Sequence, residues 1–176
     1  MGSKKMAWKV KNRQKGFTLI ESIISVALIS IITIITSSLF SFAFNSYKRY
    51  TDTRQIKYDV YIASKYIEKG LKEFNQEDVI FDSDKNIFQS KNCNNENVWV
   101  DLSGKKSLKK NTLIYFYRVT KEIRVNKNNE HNVLCGNIDD VAVNELIEGR
   151  LIEIEVIADK IEYSNKIKLN LNYRKN

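Results

Sequence analysis

The first strong pattern in the chain is an apolar run near its N terminus. Residues 17–44 read FTLIESIISVALISIITIITSSLFSFAF and contain one ionisable side chain, Glu21. The uncharged stretch that begins at Ser22 is longer than the ~20 residues with which a helix crosses a bilayer. The pattern therefore predicts one membrane-spanning helix over residues 17–44.

The helical pattern continues beyond residue 44, but there only one face is apolar. Charged residues of opposite sign, such as Glu68 and Lys72, stand four apart on the other side. This pattern predicts an amphipathic stalk helix over residues 45–75, interrupted only by Gly70, which costs ~1 kcal/mol relative to Ala. The apolar face consists of residues three or four apart: Ile56, Val60, Ala63, Ile67, Leu71 and Phe74.

Residues 76–176 contain short β-type runs separated by turns rich in Asn, Asp and Lys. We expect strands at 98–100, 113–119, 122–126, 133–135, 151–158 and 166–173. The last two alternate between apolar and polar residues, so they predict an antiparallel hairpin with one packed face and one solvent-exposed face. The expected fold class is α+β: a long N-terminal helix, half transmembrane and half amphipathic, packed on a C-terminal antiparallel β-sheet head.

Charge is concentrated at the N terminus. Lys and Arg total 29 against 21 Asp and Glu, a formal net charge of +8. Six of the basic residues lie within residues 1–16, which contain no acidic residue, and the rest of the chain is nearly neutral. A basic leader before a membrane span predicts a cytoplasmic N terminus and an extracytoplasmic head at 76–176.

Two ordinary explanations of the apolar run are a cleaved signal peptide and a plain signal anchor. The run is longer than the 7–15 residues of a signal-peptide core, and no small-x-small cleavage site follows it. A plain anchor leaves Glu21 unexplained, because a carboxylate in a membrane span is costly. A cut between Gly16 and Phe17 would create an amino group that can pair with Glu21 of the same or a neighbouring chain.

The residues Lys15-Gly16-Phe17-Thr18-Leu19-Ile20-Glu21-Ser22, between a basic leader and a long apolar helix, resemble the class III signal of type IV prepilins and pseudopilins. The resemblance implies that a membrane-embedded prepilin peptidase cleaves between Gly16 and Phe17 and methylates the new amino group of Phe17. It also implies that Glu21 helps the subunit dock onto the N terminus of its neighbour. Most pilins carry a Pro in the second half of the apolar segment, whereas this chain has none.

The head is similar to the larger minor pilins, called W-type in pili and J-type in type II secretion. The similarity rests on the order of LIYFYRVTKEIRV, NVLCGNIDDVAV and the ending NLNYRKN, in which Tyr173-Arg174-Lys175-Asn176 is similar to an aromatic-x-Arg-Asn terminus. It implies a structural subunit that helps to initiate or cap a type IV pilus or a related competence or secretion filament. Its partners would be other pilin subunits and the inner-membrane assembly platform. It would lie in the cytoplasmic membrane before assembly and in a surface pilus or pseudopilus afterwards.

The two cysteines suit an exported chain. A bond between Cys93 and Cys135 would stabilise the head by up to ~3–4 kcal/mol. Two buried free thiols are the alternative, because two cysteines give no spacing pattern to check.

The sequence contains no recognisable catalytic, cofactor or metal site. One His and two Cys are too few for a zinc site of four such ligands. Ser103-Gly104-Lys105-Lys106-Ser107 lacks the first Gly of a phosphate loop. His131 is expected in a solvated turn, and the pairs Asp82/Asp84 and Asp139/Asp140 are expected to be turn residues.

One basic cluster is a candidate DNA site: Lys105, Lys106, Lys109 and Lys110, with Tyr115 and Tyr117 near enough in sequence to stack on bases. A solvated hairpin loop is the favoured explanation, since the chain is rich in Lys throughout. Two rival functions nevertheless stay open. The head could be an adhesin or DNA receptor carried by a pilus, or an uncleaved extracellular domain on a single-span anchor.

Overall fold

The computed structural model describes residues 18–92, 94–127 and 130–175, with only the backbone at Lys127. The chain divides into two compact units, Met1–Lys48 and Arg49–Asn176. One helix, α1 (Leu19–Lys72), contributes to both units. The segment limits predicted at residues 16, 44 and 75 stay predictions.

In the second unit, α1 packs on the sheets through the face that the sequence indicated. All six residues of the predicted apolar stripe, from Ile56 to Phe74, are buried, which confirms the prediction. Gly70 lies where the helix comes close to the sheet: a Cβ atom at this position would stand 2.6 Å from Cδ1 of Ile114. The absence of a side chain at Gly70 therefore permits the close packing of helix on sheet.

In the described part of the chain, ten strands follow the helix and form two sheets, and the prediction of an α+β fold is confirmed. The seven-stranded sheet has the order β10-β1-β2-β3-β4-β5-β6, and the three-stranded sheet has the order β7-β8-β9. Most pairs are antiparallel, but β1 with β10 and β3 with β4 are parallel. The strands are β1 Val79–Asp82, β2 Ile87–Lys91, β3 Asn97–Asp101, β4 Thr112–Tyr117, β5 Glu122–Lys127, β6 Glu130–Cys135, β7 Ile138–Ile147, β8 Leu151–Ala158, β9 Ser164–Asn170 and β10 Tyr173–Lys175.

The terminal hairpin is confirmed, with one correction at its end. Strand β8 has the predicted limits and pairs antiparallel with β9, and Ile154 faces Ile167 in the register. The predicted second strand, 166–173, was wrong in including Tyr173. Tyr173 belongs to β10, which is an edge strand of the seven-stranded sheet. There β10 pairs parallel with β1, and Tyr173 lies opposite Val79.

Two further expectations about turns are corrected. His131 lies in β6 rather than in a turn, and its ring meets the edge of Tyr115 at a centroid distance of 5.3 Å. Asp139 and Asp140 lie in β7, where their carboxylates are used in ion pairs. The local abundance of Asn and Asp indicated turns, but pairing with β5 and β8 overrides that preference.

The turn between β4 and β5 joins the two sheets electrostatically. The Lys121 ammonium lies 3.1 Å from Asp139 and 2.6 Å from Asp159, and Arg118 pairs with Asp140. The hydrogen bond from Lys121 holds the pKa of Asp159 below its ordinary value, and the same bond raises the pKa of Lys121. The head thus has a fixed cross-connection between its sheets.

Candidate functional site

The described part of the predicted processing segment begins with a capping box. Thr18 immediately precedes α1, and one carboxylate oxygen of Glu21, Oε2, accepts hydrogen bonds from the Thr18 amide and hydroxyl, both at 2.9 Å. The Glu21 amide donates in return to Thr18 Oγ1 at 3.4 Å. Thr-x-x-Glu is the sequence signature of this motif. This capping function of Glu21 was not predicted from the sequence, where the carboxylate was expected to pair with an N-terminal amino group.

The capping box leaves part of Glu21 available. Among residues 18–92, 94–127 and 130–175, no group donates a hydrogen bond to its second oxygen, Oε1. Gly16 and Phe17 lie outside the described residues. Cleavage between them, methylation of Phe17 and an assembly role for Glu21 therefore stay predictions.

The apolar half of α1 satisfies its own hydroxyl groups. Ser and Thr side chains donate to the carbonyl oxygen four residues earlier, as in Thr33 to Ile29 and Thr36 to Ile32, both at 2.8 Å. The same bond forms at Ser25, Ser30 and Ser38. A hydroxyl group that donates a hydrogen bond within its own helix adds little to the free-energy cost of placing that helix in hydrocarbon. This is the one described helix that is long and apolar enough to cross a membrane.

Among the described residues, nothing covers the large apolar side chains of this segment. Leu19 is 81% exposed, and Phe40 and Phe42 are each 73% exposed. Surfaces of this extent mark contact with lipid or with other proteins. This half of α1 therefore suits contact with lipid or with other proteins.

Cys135 lies at the end of β6, in the buried core of the head. Burial, followed by the charge of Asp59, raises the pKa of its thiol from 9.0 to about 12. Asp59 is itself held by hydrogen bonds from Gln55 and Asn137 at 2.8 and 2.7 Å. Cys93 lies outside the described residues, so the Cys93–Cys135 bond stays a prediction.

The lysine cluster lies in residues 102–111, between the parallel strands β3 and β4. The segment is thus a crossover connection and not the hairpin loop that was predicted. Lys109 places its ammonium 4.7 Å from the centre of the Trp99 ring. Tyr115 is only 1% exposed, so the base stacking considered for it does not fit its burial. The Arg124 guanidinium lies over Tyr117, 6.0 Å from the ring centre.

Within the described ranges, no group of three or more His, Cys, Asp or Glu side chains is placed to hold a metal ion. The phosphate-loop resemblance at residues 103–107 also lacks its structural context, since a strand and not a helix follows.

Comparison with known proteins identifies the N-terminal segment. Residues 11–37 match the family model described as the prokaryotic N-terminal methylation motif. No curated protein and no solved structure matches the chain. The matched region covers the predicted cleavage point, the capping box and the first half of the apolar helix. This motif, at the start of a long helix that is followed by a β-rich head, supports a type IV prepilin- or pseudopilin-type protein.

Proposed function

We propose that the protein is a minor pilin or pseudopilin, a structural subunit that helps to initiate or cap a type IV pilus or a related competence or secretion filament. The observation that carries the proposal is the methylation motif at residues 11–37, placed at the start of a helix whose apolar side chains are exposed. Such a surface suits a subunit that exchanges lipid for the helices of other subunits.

Processing is the first step in this proposal. A prepilin peptidase cuts between Gly16 and Phe17, where the absence of a side chain at Gly16 opens the peptide to the enzyme, and methylates Phe17. The basic leader, which keeps the N terminus in the cytoplasm, is removed with the cut. The head remains outside the membrane, anchored by residues 17–44.

Assembly is the second step, and Glu21 serves it with the oxygen that the capping box leaves free. The amino group of Phe17 from a neighbouring subunit is a suitable partner, because an unpaired charge among packed apolar helices is costly. The function is structural and not enzymatic. Other pilin subunits, the peptidase and the membrane assembly platform are the proposed partners.

The lysines of residues 102–111 motivate a second candidate function, a pilus-borne adhesin or DNA receptor. This candidate differs from the structural proposal because it requires a ligand that binds the head. In the third possibility, an anchor that is never cleaved, the protein retains residues 1–16.

Mass spectrometry of the membrane-extracted protein tests the proposal. We expect a mature chain that begins at Phe17 and carries a methyl group on its amino nitrogen. Quantification in sheared surface filaments gives the second readout. An intact Met1, or a cut beyond residue 44, would contradict the proposal.

A further inference from the structure

One face of the seven-stranded sheet has a half-covered apolar strip. Ile80, Gln89 and Trp99 are aligned across β1, β2 and β3, and the Trp99 indole donates a 3.1 Å hydrogen bond to the Gln89 side chain. Their neighbours in sequence, such as Phe81 and Phe88, point into the core and are fully buried. Ile80 is 37% exposed, so the strip is open to a partner on the side away from the core.

Two adjoining cavities lie on this face, of about 370 and 440 Å³. They share Lys85, Ile87 and Lys109, so together they form one groove. Residues 102–111 form one wall, and Ile80 and Ile87 contribute to the apolar lining. We call this groove the lysine cleft, defined by Ile80, Lys85, Ile87, Lys105, Lys106 and Lys109.

The net charge of the lysine cleft is positive. The two cavities are lined by four lysines, Lys85, Lys105, Lys106 and Lys109, and by three aspartates. Asp82 pairs with Lys85 at 2.7 Å, Asp101 accepts a 2.6 Å hydrogen bond from Ser103, and Asp84 is the third aspartate. In the described part of the chain, neither Lys105 nor Lys106 has a carboxylate within 4.0 Å. Leu108, between the lysines, is 90% exposed. The cleft therefore offers ammonium groups beside apolar surface.

A surface of the opposite character lies at the turn between β7 and β8. The pairing of these strands shifts between Glu145 and Ile147, which places a bulge at Leu146. Leu146 and Ile147 are 45% and 54% exposed, and the Glu148 side chain is 76% exposed. We call residues 145–148 the acidic turn. Two adjacent exposed aliphatic side chains flanked by glutamates are unusual for a solvated turn.

We propose that the acidic turn of one copy of this protein docks into the lysine cleft of a second copy. Leu146 and Ile147 cover the apolar strip at Ile80 and Ile87, and Glu148 reaches the lysines at the rim. Glu148 is the freer of the two glutamates, because it meets Lys175 only at 3.9 Å, whereas Glu145 is bonded to Tyr173 at 3.2 Å and paired with Lys175 at 3.3 Å.

The geometry of this contact suits a complex that initiates or caps a filament. The two surfaces are different patches of the same head, so the contact is heterologous and can join neighbouring copies in such a complex. It rests on the proposed function in one respect: the membrane-anchored helices bring the heads together and raise their effective concentration. A few exposed ion pairs and two aliphatic side chains then suffice to set the register between neighbouring heads.

A photo-crosslinking experiment on the full-length protein in its native membrane tests the contact. The probe is p-benzoylphenylalanine at Leu146, in a mixture of unlabelled and ¹⁵N-labelled chains, so that adducts between copies are distinguished by mass. We expect mixed-isotope adducts at Ile80, Ile87 or residues 102–111. Adducts only within one chain, on another protein, or elsewhere on the second copy would overturn the proposal.

Charge reversal makes the test specific. Lys106→Glu or Glu148→Lys alone should lower the yield of mixed adducts about fivefold, since each replaces an exposed attraction by a repulsion. The two substitutions in one chain should restore the yield, because the swapped charges meet again between copies. Lys110→Glu, in the same connection but outside the cleft lining, should have little effect. Loss without restoration in the double variant, or an equal loss in the control, would overturn the proposal.

The same samples separate this inference from the proposed function. If the chain is cut before Phe17 and recovered in filaments but gives no mixed adducts, only the head contact fails. If the chain is uncut and absent from filaments, the proposed function fails, whatever the adducts show.

Discussion

Glu21 bonds to Thr18 through a single carboxylate oxygen, which accepts both the amide and the hydroxyl of that residue at 2.9 Å. The same side chain therefore caps the start of α1 with one oxygen, and the assembly function that we propose for it would use the other. A capping box stabilises a helix by about 0.5–2 kcal/mol. A charge partner between subunits should instead decide whether the subunit enters a filament.

The two functions can be separated by substitution. Glu21→Gln keeps an acceptor for Thr18 but removes the charge, whereas Thr18→Ala removes the capping hydroxyl and keeps the charge. We expect membrane insertion and cleavage in both variants, and a strong loss from sheared filaments for Glu21→Gln, as for Glu21→Ala and Glu21→Val. Immunoblots of membranes and of sheared filaments give the ratio of filament-bound to membrane-bound protein for each variant. Normal incorporation of Glu21→Gln would show that the charge is not needed.

Gly70 allows a direct test of the packing of helix on sheet. Gly70→Leu should destabilise the head by about 1–3 kcal/mol, because the added side chain enters the space held by Ile114. Gly70→Ala should change the stability by less than about 1 kcal/mol, because the gain in helix propensity offsets a small shift of the Ile114 terminus. Urea unfolding followed by tryptophan fluorescence measures both. Gly136→Ala is the matched control, since no heavy atom lies within 4 Å of a Cβ there.

The link between Lys121 and Asp159 predicts a dependence of stability on pH. The pKa of Asp159 is lowered in the folded state, so its contribution is present above its ordinary pKa and is lost as the pH falls through the folded value. The pKa of Lys121 is raised, so its contribution is present at and below its ordinary pKa and is lost as the pH rises through the folded value.

Lys121→Met removes both effects. We expect a lower melting temperature at neutral pH and a smaller further loss on acidification to about pH 3 than in the unsubstituted protein. Lys160→Met serves as the control, because its ammonium stands 3.9 Å from Asp159 rather than 2.6 Å. Equal acid sensitivity of Lys121→Met and the unsubstituted protein would contradict the assignment.

The thiol of Cys135 predicts a loss of stability in alkali when the protein is reduced. The unfolded thiol ionises near pH 9.0 but the folded one only near 12, so the folded state retains its proton longer. Over that interval the free energy of unfolding should fall by about 1.4 kcal/mol per pH unit. Cys135→Ala should lack this slope, which urea titrations at several pH values in reductant would show.

The same titration reports on the predicted disulfide. If Cys93 and Cys135 are bonded, the oxidised protein has no thiol at position 135, and the alkaline slope should appear only after reduction. An equal slope with and without reductant would show that the bond does not form.

Affinity for DNA distinguishes the structural proposal from the receptor alternative. We expect the head expressed from Tyr47 onward to be soluble and to bind duplex DNA at physiological salt with a Kd near 10⁻⁴ M, the range of non-specific contact. Changing Lys105, Lys106, Lys109 and Lys110 to Gln should alter this little. Sub-micromolar binding that the four changes abolish would favour the receptor.

Regular periodicity made part of the fold predictable from the sequence. The apolar stripe of α1 and the alternation in β8 and β9 each repeat over several residues, and each has one buried face, so both could be recognised locally. Strands β1 and β2 have only four and five residues and follow Asn- and Asp-rich turns, so their local signal is weak. Strand β10 forms because β1 is available as a partner far away in the sequence, which no local pattern indicates.

The candidate site was predictable to a similar extent. Gly16, Phe17 and Glu21 lie in a compact segment that matches the methylation motif, and the roles predicted for them from the sequence stay predictions. The capping function of Glu21 had a readable signal in Thr18. The lysine cleft had none, because its apolar strip consists of single residues from three strands that only the sheet brings together.

The position of β10 has a consequence for how the protein is made. Strand β1 is the first strand after α1, whereas its edge partner β10, Tyr173–Lys175, comes after every other described strand. With the proposed topology, the seven-stranded sheet cannot be completed until β10 has been synthesised and has crossed the membrane. Completion of the sheet thus reports that all ten described strands have been exported, and a subunit stalled during translocation would present an unfinished edge instead of an assembly-ready head.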